Sequence, residues 1–370
     1  MYGVDNKRAV DFQMWPYWIM FLLPAFGAIL EQRLRLNARS TFLFQRQYSL
    51  FIWIIFPLFS LLIGLRQEVG GDWGNYLRNF DLLRYDDLAD VWIGSDPGYR
   101  LLEWISNQMG WGIYGVNLMS AVIFSMGLIW FCRHLPRPWL ALAISVPYVV
   151  IVLGMGYSRQ GLALACAMIG MVALSKSSNL GFVLWTLLGA TFHKSAVLLL
   201  PLAGLAASRG RVFVAIWVTA VMVVAYFLLL ADSVEALQQN YLEAGYQSEG
   251  TLIRLTMNLI PALIFLIKGQ KFYDIFSLSK IWFYLSLLSI AFMLLYYLSP
   301  SSAAVDRLAL YALPLQMVIF SGIPDVFKSR NISSSTLVVI VLVYYCFVLF
   351  TWLNFANNSM YWIPYRINLF

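Results

Sequence analysis

The chain is a succession of long apolar runs broken by short polar connections. An α-helix needs roughly 20 mostly apolar residues to cross about 30 Å of hydrocarbon. By that measure the runs near 14–30, 48–65, 112–131, 139–154, 160–175 and 179–192 read as membrane spans. Six more follow near 195–208, 212–231, 251–267, 281–298, 307–323 and 334–353. The pattern predicts an all-α polytopic membrane protein of about twelve transmembrane helices, a single integral membrane domain over residues 1–370. The weakest joint lies between the sixth and seventh runs, which are short and meet at His193.

Composition strengthens this reading. Of 370 residues, 61% are hydrophobic and 12% charged, outside the soluble range of about 45–50% apolar and about 25% charged. Residues 1–13 carry both signs of charge and lead straight into further spans, so insertion is expected from the spans themselves rather than from a cleavable signal. Cys132, Cys166 and Cys346 stand singly, without disulfide or metal-ligand spacing.

Charge orients the spans. Segments 31–47, 132–138, Lys176, 209–211, 268–280 and 324–333 together hold 14 basic and 3 acidic residues, which marks them as cytoplasmic because basic residues collect on that side. The intervening segments hold 11 basic and 15 acidic residues, the spans alternate, and both termini fall outside. The net charge of +7 therefore points to anionic lipid rather than nucleic acid.

The longest polar segment, 66–111, is predicted outside the membrane and carries 4 basic against 8 acidic residues. Gly70 and Gly71 permit a tight turn, and Asp72 can cap a helix in which Tyr76, Phe80 and Leu83 share a face. Asp96-Pro97 announces a second amphipathic helix, with Leu101, Leu102, Ile105 and Met109 on its apolar face and Arg100, Glu103 and Asn107 pointing away. Both helices are expected along the outer interface, roofing a site.

Five cations stand at the outer ends of spans: Arg66, Arg159, Lys194, Arg254 and Arg307. That is the costly side for positive charge, so an anion is expected among them. Arg254 lies outside every motif and reads as a helix-end residue that snorkels or pairs with a carboxylate, and Asp306 as a tether for its neighbour Arg307.

The motifs are Arg66 through Asp72 to Tyr76, Asp96-Pro97-Gly98-Tyr99, Arg159-Gln160-Gly161-Leu162-Ala163, Phe192-His193-Lys194-Ser195-Ala196, and Asp306-Arg307 followed by Tyr311, with a closing Trp362-Ile363-Pro364-Tyr365. In this order the chain resembles the EpsG/Wzy-type polysaccharide polymerases. The resemblance implies a GT-C-like, inverting, metal-independent glycosyltransferase in the bacterial inner (cytoplasmic) membrane, without a cofactor, its active site facing the periplasm or exterior. Its substrate would be an undecaprenyl-diphosphate-linked oligosaccharide, with the growing chain passed to the non-reducing end of the next lipid-linked unit. Membrane lipids surround it, and a chain-length-regulating co-polymerase is a possible partner. A lipid-linked-oligosaccharide flippase and an O-antigen-ligase-like transferase remain the alternatives.

The residue chemistry fits. A diphosphate leaving group needs fixed cations in a poorly hydrated site, and arginine binds phosphate oxygens bidentately. Arg159 and Arg307 are expected near helix N-termini, where the dipole also favours an anion, with Arg66 and Lys194 assisting. The general base is either His193, whose ordinary pKa near 6.5 suits proton transfer, or Asp72. Glu68, Tyr76, Asp96 and Tyr99 are expected to contact glycan or to shape the loop.

Overall fold

The computed structural model describes residues 9–11, 13–37, 50–83, 87–92, 95–206, 211–225, 247–276 and 280–368. Each predicted apolar run is occupied by helix within these residues: α1 (Trp15–Asn37), α2 (Ile55–Gly64), α5 (Gly112–Cys132), α6 (Pro138–Ser145), α7 (Ser158–Ser175) and α8 (Asn179–Phe192). After α8 come α9 (Pro201–Ala206), α10 (Arg211–Ala225), α11 (Thr251–Phe276), α12 (Ile281–Leu298), α13 (Ser302–Ala309) with α14 (Leu313–Val326), and α15 (Ser334–Phe355). The loop supplies α3 (Trp73–Leu83) and α4 (Pro97–Gln108).

Among the described residues seven helices are long and apolar enough to cross a membrane, and four further apolar helices run 10–17 residues. The short pair meets at His193, which is extended at φ −155° and ψ 113°, before a 3-10 turn over Lys194–Leu199. The two are separate helices joined at a break. Helix α1 runs to Asn37, beyond the predicted end near residue 30, because Glu31 and Arg35 pair one turn apart at 2.7 Å.

The central helix is α6 with its extension. From Val146 to Gly156 it widens to a π-helix, and Pro147 near the start of that stretch has no N–H to give an α-type bond. Apolar on all sides, it is buried along nearly its whole length. It packs against α1, α5, α14 and α15.

Polar groups collect at the two ends. At one end Arg35 donates to Pro136 O at 2.5 Å, Arg137 forks onto Asp325 at 2.8 and 3.2 Å, and Lys176 Nζ lies 3.2 Å from His134 Nε2. All five side-chain partners belong to connections predicted to be cytoplasmic.

At the other end the chain termini close on the start of the long loop. Strands β1 (Ala9–Asp11) and β2 (Arg366–Asn368) pair antiparallel, a small exception to an otherwise helical structure. Gln67 N donates to Arg366 O at 2.9 Å and Asn368 N to Leu65 O at 2.9 Å. Trp362 donates its indole N–H to Ile151 O at 3.0 Å, and its own carbonyl accepts from the Tyr17 hydroxyl at 2.6 Å. Gly70, at φ 111°, lets the loop pass where a Cβ would come within 2.7 Å of Met155 O. The Trp-Ile-Pro-Tyr motif is thus a structural clamp.

Arg66 lies at the centre of this clamp, only 1% exposed. Its guanidinium donates to Ile63 O at 2.5 Å, Val69 O at 3.3 Å, Asn117 Oδ1 at 3.1 Å and Ser158 Oγ at 2.7 Å. One planar fork therefore joins the end of α2, the loop, α5 and the start of α7. Arg66→Ala leaves these buried acceptors unsatisfied, at about 1–3 kcal/mol each. The variant is expected to melt well below the parent protein in detergent. Arg66→Lys, a compact ammonium that cannot span four acceptors, should recover only part of the loss.

Candidate active site

The face that α4 turns inward mixes apolar and polar side chains. Tyr99, Leu102, Glu103 and Ser106 are buried, whereas Met109 is 58% exposed and Leu101 and Ile105 are half-buried. The expectation that Glu103 points away is therefore overturned. An amphipathic helix at a membrane boundary can leave apolar side chains to lipid and send polar ones into the protein. Gly98 makes the approach possible, since a Cβ there would collide with Thr191 at the end of α8. Helix α4 packs on α5 and α8.

Asp96 occupies the cap position of α4, its carbonyl accepting from Tyr99 N at 2.9 Å and Arg100 N at 3.1 Å. Its side chain does not cap the helix. The residue sits in the left-handed region at φ 56° and ψ 55°, a conformation that aspartate tolerates better than most residues. From there the carboxylate reaches away from its own helix. It accepts from Lys194 N at 3.1 Å, lies 3.5 Å from Arg159 Nη1, and faces His193 Nδ1 at 3.9 Å. Burial works to raise its pKa, but His193, Arg159 and the Lys194 N–H outweigh burial and hold it below the usual carboxylate range.

Arg159 is the second residue of α7, near the N-terminus as expected. Its guanidinium lies 4.9 Å from the Tyr99 ring centroid and 5.6 Å from that of Tyr76, a double cation–π contact. Its Nη2 is 3.8 Å from Glu103 Oε1. Asp96, Tyr99 and Glu103 thus surround one arginine from positions i, i+3 and i+7 of a single helical face. That spacing is the sequence signal by which Glu103 could have been found. The Glu103 side chain is fully buried, and among the described residues neither of its oxygens has a hydrogen-bond partner. Burial pushes its carboxyl up to about 7 against the opposing charges of Arg159 and Arg100.

Asp72 precedes α3 and its carbonyl accepts from Asn75 N and Tyr76 N, both at 3.0 Å. Burial raises its carboxyl, while Arg307, a side-chain hydrogen bond from Asn75, and Arg159 pull the other way. Asp72 therefore lies within electrostatic reach of both arginines. Arg307 is exposed and lies in the last turn of α13, which opens the span Ser302–Val326; it stands near the start of that span as the sequence suggested, but a turn beyond the helix N-terminus. Gln160 Nε2 donates to its carbonyl at 2.6 Å, and Ser195 Oγ lies 2.9 Å from the Tyr311 hydroxyl. These bonds tie three motifs together.

Asp306 does not tether Arg307. Successive residues on a helix point about 100° apart, and Asp306 turns inward to take Arg254 in a bidentate pair at 2.7 and 2.6 Å. Arg254 is thereby matched by a carboxylate. Glu68 bonds Arg366 at 2.6 Å beside the terminal clamp, and Arg66 is enclosed there with its donors on protein acceptors. The structure thus brings Asp72, Tyr76, Asp96, Tyr99, Arg159, His193, Lys194 and Arg307 to one end of the bundle. Arg66 and Glu68 stand to one side. Among the described residues no group of three or more His, Cys, Asp or Glu side chains could hold a metal ion.

The arrangement offers cations for an anionic leaving group, a histidine backed by a carboxylate for proton transfer, and tyrosine rings beside them. No curated protein and no solved structure matches the chain. The model of the EpsG family matches residues 49–367, a span that includes every motif named above, and the chain belongs to the EpsG family.

Proposed function

We propose that the protein is a membrane polysaccharide polymerase that transfers a growing glycan from a polyprenyl diphosphate to the non-reducing end of a lipid-linked repeat unit. The observation that carries this reading is the convergence of Arg159 and Arg307 with Asp72, Asp96 and His193, contributed by five motifs far apart in the chain. Membership of the EpsG family supports the same class of activity. The reading includes twelve spans on a GT-C-like scaffold, a bacterial cytoplasmic membrane, and a site facing the periplasm or exterior. A chain-length-regulating co-polymerase belongs to it as a partner.

In the proposed reaction His193 takes the proton of the acceptor hydroxyl. The oxygen attacks the anomeric carbon of the donor sugar from the face opposite the diphosphate, and the bond from that carbon to the diphosphate oxygen breaks with inversion. Asp96, held low in pKa and 3.9 Å from His193 Nδ1, stabilises the imidazolium that forms. Arg159 and Arg307 stabilise the charge gathering on the diphosphate, so the step is proposed to need no metal. Arg66 contributes through the scaffold.

Purified protein given a lipid-diphosphate-linked repeat unit should form a glycan ladder unaided. Translocation without a new glycosidic bond would instead establish the flippase alternative. Arg307→Ala should lower the rate by about 10²–10³-fold at unchanged melting temperature; Arg159→Ala should lower it at least as far and also lower the melting temperature, because Asp96 and Glu103 lose their cation, and near-normal ladders in both would remove them from the site.

His193→Ala should abolish chain growth and Asp96→Asn should reduce it. Activity that survives His193→Ala but not Asp72→Asn would assign the base to Asp72.

Glu103 adds a pH dependence. Below pH 7 it is largely neutral and leaves Arg159 available to the substrate anion; above pH 7 it ionises and competes for that guanidinium. The donor KM should therefore rise with pH through about 7, and Glu103→Gln, which resembles the neutral form, should flatten the profile.

A further inference from the structure

A cleft of 670 Å³ lies between α11 and α15. It starts at the candidate-site end of the bundle, beside Glu249, Arg254 and Asn357, and descends past Met257 and Val348 to Tyr148 of the central helix and Tyr344 of α15. Ile253, Phe347 and Phe355 on its lining are 63%, 65% and 71% exposed, so the cleft opens sideways onto the apolar flank of the protein. Its walls are chiefly apolar and aromatic below the first turn.

The polar end of this cleft adjoins the candidate site. Arg254 is matched there by Asp306, and the next residue of α13 is Arg307. Tyr157, which closes the central helix, lies within electrostatic reach of Asp72 and Arg307 and also of Arg254 and Asp306. Tyr148 lines the cleft and lies within electrostatic reach of Arg254 and Asp306. An apolar slot thus runs into a cluster of cations. A ligand that fills both must join an anion to a long apolar chain.

We propose that this cleft binds the polyprenyl chain of the lipid-diphosphate donor, so that the isoprenoid lies between α11 and α15 while its diphosphate reaches Arg307 and Arg159. The assignment rests on the polymerase reading for the identity of the donor. A single slot suits one chain, whereas a diacyl phospholipid brings two. Because Asp306 already neutralises Arg254, the described lining of the cleft holds no unmatched cation for a phospholipid headgroup. The anion must be bound beyond it, at the site.

The test is photolabelling of the full chain in nanodiscs with a diazirine-bearing polyprenyl diphosphate that carries no sugar. Peptides covering 249–257 and 344–358 should be labelled. An excess of unlabelled polyprenyl diphosphate should remove the labelling, and Val348→Trp should reduce it at least five-fold. Labelling spread over the apolar surface, or suppressed equally by ordinary diacyl phospholipid, would overturn the proposal. In the ladder assay Val348→Trp should raise the donor KM about ten-fold with kcat unchanged, and a donor analogue shortened to two or three isoprene units should be insensitive to the substitution. Equal sensitivity of both donors would overturn the cleft as well. Specific labelling without any ladder from the parent protein would keep the cleft and overturn the polymerase reading. Ladder formation with labelling elsewhere would do the reverse.

Discussion

The pairing of Asp96 with Arg159 holds one end of the molecule together. One carboxylate, in a backbone conformation few side chains adopt, joins a loop helix to the start of a membrane helix and to the chain just after another. Neither charge could be buried alone without a large penalty. Together, and with the rings of Tyr76 and Tyr99 beside the guanidinium, they form a charged cluster that is largely buried. Those properties make fixed charges effective on a developing anion.

Arg66 and Arg159 do different work at this end. Arg66 is surrounded by neutral acceptors and binds backbone and side chains from four parts of the chain. Arg159 is held by carboxylates at 3.5 and 3.8 Å, with its side chain 21% exposed. The first is therefore enclosed by the scaffold, and the second keeps part of its surface open. The terminal clamp also joins the scaffold here, because Trp362 donates to Ile151 O of the central helix and Tyr365 to Leu62 O of α2.

Much of this was legible in the chain. Apolar runs located the helices, and Gly70-Gly71-Asp72 and Asp96-Pro97 located the two helices of the loop. The misplacement of basic residues pointed to the end where the candidate site is found. What was not legible came from one assumption, that apolar faces turn inward. Helix α4 instead buries Glu103 beside Leu102 and leaves Met109 exposed. The pairing of Asp306 with Arg254 was hidden for a related reason: adjacency in sequence favoured Arg307, but helix geometry turns neighbours apart.

By itself the sequence determined the helical class and the set of polar residues gathered at one end of the bundle. These follow from local hydropathy and from the cost of moving charge into hydrocarbon, and both are properties of short segments. Only the tertiary structure decided which arginine is enclosed and which is presented, which carboxylate faces His193, and that Glu103 shares the site at all. Those outcomes depend on where six separated segments meet, and at that meeting a burial cost or a shared hydrogen bond outweighs anything a single segment can specify.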